Sequence, residues 1–331
     1  MRKIFFVSII ICLSLLIGCS TNEDEAIRHS IGMHRGHEIW FHLDPSQESF
    51  DENGGISLET PQEPIFIQLA NPTFSEKTVM LKIFYNYEEI PFRIGNDSEY
   101  QRQKIFVLDP GYLIEIPIRM YHGIKANDYH NILTIGVFAS PEHHSKNDDS
   151  STIGSNFAQV LNFVVHYGGD LQLDLTYFQQ DSPEQLSDIL SRGIRVNQDS
   201  KELMITYGTG GVFTMWPNPL RVLPGEMVEF SFFANPYTHD FLEVLNDYLI
   251  ISMIGWEQVH MNGLPFLYFE ARPHDMRNDV SDFGTFTIRM PDELGFHEFV
   301  VFIVPNPTQK SDGEFRINPE VGFPFTIEVR E

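Results

Sequence analysis

Along most of the chain, short runs of alternating apolar and polar residues are separated by turn-forming residues, which is the pattern of β-strands exposed on one face. Ile65, Ile67 and Leu69 alternate with Phe66 and Gln68, and Val79, Leu81, Ile83 and Tyr85 share one face of a strand. Leu113–Ile118, Ile132–Phe138 and Val160–Val165 continue the series. Asn71-Pro72, Gly95-Asn96-Asp97, Asp109-Pro110-Gly111 and the stretch from Lys146 to Ser151 supply the turns. After residue 201 the pattern resumes in Val212–Met215, Met227–Phe233, Tyr248–Ile254, Phe266–Phe269, Phe283–Ile288, Phe296–Val304 and Phe323–Val329. Between the two regions, Ser182-Pro183-Glu184-Gln185 combines an N-cap, a proline at N1 and a capping-box glutamine. With Leu186, Ile189 and Leu190 on one side and Gly193 to end it, this segment predicts a short helix.

The two strand-rich regions share landmarks in one order. Ala70-Asn71-Pro72 recurs as Ala234-Asn235-Pro236, and Ile118-Arg119-Met120 as Ile288-Arg289-Met290. His130 and His297 precede the most apolar strands, Ile132–Phe138 and Phe299–Val304, which end near Pro141 and Pro307. These pairs lie 164 to 170 residues apart. So long a period describes two copies of one domain, not a solenoid. The two apolar strands are expected at the centres of their sheets. Leu223-Pro224-Gly225-Glu226 resembles the turn that leads into a strand in many bacterial immunoglobulin-like modules. That resemblance implies an all-β fold of two tandem immunoglobulin-like β-sandwiches, each near the usual size of about 100 residues. The expected organisation is residues 56–168 for the first sandwich, 169–200 for a linker with the helix, and 201–331 for the second.

The N-terminus has a different character. Met1-Arg2-Lys3 is basic, and Ile4 to Ile17 is apolar but too short to span a bilayer, which takes about 20 residues. It suits the hydrophobic region of a signal peptide. Leu16-Ile17-Gly18-Cys19 then resembles the lipobox of bacterial lipoproteins. In that family the cysteine is diacylated and becomes the first mature residue, which implies cleavage after residue 18 and lipidation at Cys19. Two acyl chains suffice for stable anchoring. Cys12 leaves with the signal, so Cys19 would be the one cysteine of the mature chain. Residues 19–55 read as a lipidated tether able to dock a short strand at Ile39-Trp40-Phe41. The resemblance places the protein on the extracytoplasmic side of a membrane in the bacterial cell envelope.

Charge narrows the partners. The chain carries 22 basic and 46 acidic side chains, a net charge of −24 over 331 residues. Nucleic acid is excluded as a partner, since phosphate binding needs a basic face. Removing Arg2 and Lys3 takes the balance to −26, so anionic head groups would repel the body. With two cysteines there is neither a disulfide framework nor a cysteine zinc site.

Motifs for chemistry are weak. There is no Gly-x-Ser-x-Gly and no Ser-x-x-Lys. Gly208-Thr209-Gly210-Gly211 lacks the Lys-Ser/Thr of a phosphate loop. His29, His34, His37 and His42, the pair His143-His144, and the acids Asp148-Asp149 and Asp279 with Asp282 are the metal-ligating types present, without the spacing of a dedicated cage. Trp40, Trp216 and Trp256 are candidate stacking or inter-domain residues. No catalytic, cofactor or metal residue is therefore assigned, and Cys19 is the one site named. The expected function is a non-enzymatic interaction or structural role, with an envelope protein or surface ligand as partner. Binding of a small ligand or glycan is the second reading, and a metal-dependent hydrolase the third.

Overall fold

A computed structural model describes residues 27–30, 39–43, 56–60, 62–121, 132–141, 158–166, 184–185, 201–206, 211–214, 219–235, 247–270, 282–305, 320–321 and 325–331. All regular structure among them is β, in four sheets.

Sheet I orders β1 (Ile27–Ser30), β9 (Tyr112–Met120), β4 (Ile65–Asn71) and β2 (Trp40–Leu43), with β7 (Phe92–Ile94) also on β9. Sheet II orders β3 (Ile56–Ser57), β11 (Ala158–His166), β10 (Ile132–Ala139), β5 (Lys77–Tyr85) and β6 (Glu88–Glu89), with β8 (Gln103–Leu108) also on β5. Sheet III orders β15 (Leu220–Val222), β23 (Phe325–Val329), β21 (Gly295–Pro305), β17 (Asp247–Ile254) and β18 (Glu257–Val259). Its remaining strands are β19 (Leu267–Glu270) on β17 and β22 (Glu320–Val321) on β21. Sheet IV orders β12 (Glu184–Gln185), β20 (Asp282–Arg289), β16 (Met227–Asn235), β13 (Lys201–Thr206) and β14 (Gly211–Thr214).

Sheets II and III have the same order, strand for strand. Each opens with a parallel pair, β3 on β11 and β15 on β23, and closes with a hairpin, β5–β6 and β17–β18. The sequence landmarks fall at matching places. Asn71 ends β4 and Asn235 ends β16, while Ile118-Arg119-Met120 closes β9 and Ile288-Arg289 closes β20 just before Met290. The turns match as well. Gly95 donates its N–H to the Pro117 carbonyl and Asn262 to that of Thr287, and both have positive φ. As expected, β10 and β21 lie inside their sheets, each flanked on both sides.

Sheets I and II enclose one core, in which Ile65, Ile67 and Leu69 of β4 meet Val79, Leu81 and Ile83 of β5. Sheets III and IV enclose a second, where Phe230 stacks on Phe286 and Phe299 at 5.5 and 5.4 Å between ring centroids. A third apolar layer lies between sheets II and III. Met80, Phe84, Tyr87, Ile132, Phe138 and Val160 from one half meet Leu249, Ile251, Met253, Tyr268, Val300, Phe302 and Val304 from the other. The order is thus I, II, III, IV, with the middle two sheets buried on both faces. Every side chain of β10 is buried, and β5 is buried from Val79 to Tyr85. Phe302 sits at the middle of the seam, edge-on to Phe84 at 5.9 Å and stacked on Phe138 at 6.1 Å. Gly136 makes room for this: a Cβ there would lie 2.8 Å from the Phe138 ring.

The short strand expected to dock at Ile39-Trp40-Phe41 is β2, and Ile39, Phe41 and Leu43 enter the first core; the same region also supplies β1. The apolar alternation of a docked strand gains more from burial than a solvated tether would. The expected helix from Ser182 to Gly193 lies outside the described residues except for Glu184–Gln185. Those two pair with Phe283 and Asp282 as an edge strand, so tertiary pairing overrides the local helical signal there.

Phe302→Ala should cost about 3–5 kcal/mol, as for a fully buried phenylalanine in a packed layer. Urea unfolding followed by fluorescence measures it, and hydrogen exchange should quicken in β10 and β17 together.

Candidate functional site

Two structurally matching hairpins meet across the seam. In the first, Asn86 and Tyr87 form a two-residue turn with φ of 50° and 66°. In the second, Gly255 and Trp256 do so with φ of 58° and 68°. Positive φ at both central residues gives the turn the twist a tight hairpin needs, but an aromatic there is strained by about 1–2 kcal/mol. The strain is offset by where the rings go. Tyr87 is buried and packs edge-on to Phe266 at 6.1 Å, across the seam. Trp256 reaches the other way, its ring 5.2 Å from that of Phe138, and its Nε1–H donates to the Pro141 carbonyl at 2.9 Å.

Behind the turns the exchange is reciprocal. Glu89 and Gln258 hold the same position in their hairpins, opposite Phe84 and Met253. The Glu89 N–H donates to Gln258 Oε1 at 2.7 Å, and the Gln258 N–H donates to Glu89 Oε2 at 3.0 Å. Gln258 Nε2 also donates to the carbonyls of Tyr87 and Pro265 at 2.9 and 2.8 Å. Glu89 Oε1 accepts from Lys82 Nζ at 2.6 Å, with both side chains withdrawn from water. Burial pushes the Lys82 ammonium below its ordinary range, and Glu89 beside it offsets this only in part. Both side chains are withdrawn from water, and the pair backs the Glu89–Gln258 bonds that register the two halves.

The outward surface offers an open strand. Among the described residues β8 pairs only with β5, through Lys77↔Leu108 to Lys82↔Gln103. Its other edge presents backbone donors and acceptors. Phe106 and Leu108 point to the first core, while Ile105 and Val107 stand 52% and 51% exposed on the opposite face. Their face continues that of Met80, so the edge extends the seam layer outward. A strand edge with exposed β-branched residues is a template for pairing with another chain. The sequence reading did not single out this strand, although Ile105 to Leu108 is an apolar run ended by Asp109-Pro110.

Of the residues named from sequence, Cys19, His34, His37, His143, His144, Asp148, Asp149, Trp216 and Asp279 lie outside the described residues. His29 is exposed on β1 and Trp40 on β2, while Asp282 begins β20. Gly211 opens β14, while Gly208, Thr209 and Gly210 lie outside the described residues. Among the described residues, Trp256 joins the halves. His297 lies within β21, opposite Ile327, not in a turn, and its Nε2 is 2.9 Å from the Glu293 carbonyl oxygen. Among the described residues no three His, Cys, Asp or Glu side chains converge as metal ligands, and no helix is long and apolar enough to cross a membrane.

Removing one partner of a buried ion pair leaves the other charge uncompensated, so Glu89→Ala should cost about 3–5 kcal/mol. Lys82→Met combined with Glu89→Gln removes both charges and should cost much less. The folded-state pKa of Lys82 is lowered, so in its titration window the unfolded chain binds more protons. Stability of the native chain, relative to the double variant, should therefore rise as pH climbs toward the ordinary lysine value. Urea titrations at stepped pH read both effects.

No family model matches the chain, and no curated protein does. Among solved structures it is similar to the E. coli chaperone DraB, at 11% identity and a TM-score of 0.26, over 88% of this chain and 99% of that one. It is similar to the Salmonella enterica SafA pilin in complex with the SafB chaperone, at 10% identity and 0.23, over 90% and 100%. A third is the fibronectin(III)-like modules of Clostridium thermocellum CbhA, at 10% identity and 0.18, over 88% and 93%. At these scores no residue role passes from those proteins to this one.

Proposed function

We propose that this chain is a lipid-anchored protein of the bacterial cell envelope, built of two tandem immunoglobulin-like sandwiches, that acts by binding another envelope protein and not by catalysis. The anchor is the diacylated Cys19 of the lipobox Leu16-Ile17-Gly18-Cys19. The observation that carries the interaction reading is the open edge of β8. Ile105 and Val107 are half-exposed there beside unfilled backbone hydrogen-bonding positions among the described residues. The four-layer body suits this role, because a rigid scaffold holds the edge without ordering cost at binding. The net charge of −24 supports a body that stands off an anionic membrane surface on its tether.

Cys19→Ala should release the protein from the membrane fraction or leave an uncleaved precursor, read by fractionation and mass spectrometry of the N-terminus. Processed protein still held in the membrane would refute the anchor. Val107→Lys should abolish crosslinking to the envelope partner while leaving the unfolding midpoint within about a degree, since the side chain is exposed. Unchanged crosslinking would refute the edge as the docking strand.

A further inference from the structure

We propose, resting on β8 as the docking strand, that what docks there is a second copy of this chain. The β8 strands of the two copies lie antiparallel, edge to edge, so that sheet II of one copy runs into sheet II of the other. The matched halves show what this edge lacks. Aligning the hairpins sets Tyr85 level with Ile254, and hence Leu81 level with Ile250. Leu81 pairs with Lys104 and Ile250 with Leu267, so β8 is the counterpart of β19, and Ile105 that of Tyr268. Tyr268 is buried in the seam layer at 4% exposure, whereas Ile105 carries the same layer past Met80 and stands 52% exposed. A face built like the seam thus runs on to a strand whose far edge is unpaired among the described residues.

The strand that fits this edge must bring apolar residues opposite Ile105 and Val107, and β8 read in reverse does so. Residues directly opposite each other in an antiparallel pair share a face, so Ile105 and Val107 must meet residues from the same alternating set, Gln103, Ile105, Val107 or Asp109. A two-fold axis at Ile105 would set Val107 against Gln103, and one at Val107 would set Ile105 against Asp109. An axis at Phe106 sets Ile105 of each copy against Val107 of the other, with Phe106 against Phe106 on the core side. That register gives both exposed β-branched side chains an apolar mate, which is the unit of sheet stabilisation. The charges favour the same direction. The chain enters β8 through Arg102 and Lys104 and leaves it at Asp109, so antiparallel pairing brings the basic start of each strand beside the acidic end of its mate. An in-register parallel pair would instead set Lys104 beside Lys104, where like charges repel. A patch complementary to itself closes as a two-fold dimer and stops there. The net charge of −24 on each copy opposes approach, but exposed charges more than about 10 Å apart are largely screened at ordinary salt.

The test uses the full chain in detergent micelles. Size exclusion with light scattering should find a dimer. Val107→Lys should raise its dissociation constant at least about tenfold, because a charge pointing into the pair is how natural edge strands prevent pairing. The unfolding midpoint of that variant should stay with the native one, and Met227→Lys, at an equally exposed residue on β16 of the other half, should leave the dimer intact. Disulfide trapping reads the register, since directly opposite residues lie within reach of an S–S bond. Ile105→Cys mixed with Val107→Cys should crosslink faster than either variant with itself, against the unsubstituted chain as background for Cys12 and Cys19. Preferred trapping of like with like would overturn the proposal, as would a dimer that Val107→Lys leaves unchanged. A chain that stays monomeric yet crosslinks through Val107 to a different envelope protein would overturn the second copy and leave β8 standing as the docking strand. A chain that stays monomeric and whose envelope crosslinks survive Val107→Lys would overturn both.

Discussion

Sheets II and III are apolar on both faces, and the rest of the molecule follows from that. A strand such as β10, buried at every residue, cannot sit in a sheet with one face in water. One face of sheet II is covered by sheet I, and the other must be covered by something equally apolar. Sheet III meets the same requirement from its own side, with Val300, Phe302 and Val304 facing outward from the second core. Interfaces between domains of one chain are ordinarily more polar than obligate ones and permit relative motion. This one resembles an interior. Each large side chain in it contributes about 1.5–3 kcal/mol relative to exposure, so separating the halves would strand tens of kcal/mol of apolar burial.

Apolar layers hold but do not aim, and aiming falls to the hairpins. Glu89 and Gln258 occupy matching positions and trade backbone and side-chain bonds across the seam. Tyr87 and Trp256, also matching, each cross to the opposite half. Matching surfaces that contact each other reciprocally are the mark of a two-fold interface, here between two halves of one chain. The departure from that symmetry is chemical. The first half has the carboxylate, and Lys82 lies beneath it, so a buried ion pair within that half backs the Glu89–Gln258 bonds that set the register. Slipping one sheet past the other would leave buried groups of Glu89 and Gln258 unpaired, at about 1–3 kcal/mol for each unsatisfied group.

Much of the fold was legible in the sequence because the strands carry their own signal. The alternation over Ile65–Leu69 and the runs at Ile132–Phe138 and Phe299–Val304 mark real strands, the latter two internal to their sheets. The second face of Val79–Tyr85 was not legible. Met80 and Phe84 pack on the other half of the chain, and Lys82 reaches it only through Glu89, which bonds Gln258 at a separation of 169 residues; no local pattern names a partner at such a distance. A lysine amid such a strand was the available hint. At Glu184–Gln185 the capping signal is genuine, but the open edge of β20 captures the backbone.

The body is therefore a single unit in the energetic sense, whatever it binds through β8. Scanning calorimetry of the full chain tests this most directly. One transition is expected, in which the calorimetric and van't Hoff enthalpies agree, because neither half is stable with its seam face in water. Two separable transitions, each with about half the total enthalpy, would contradict it.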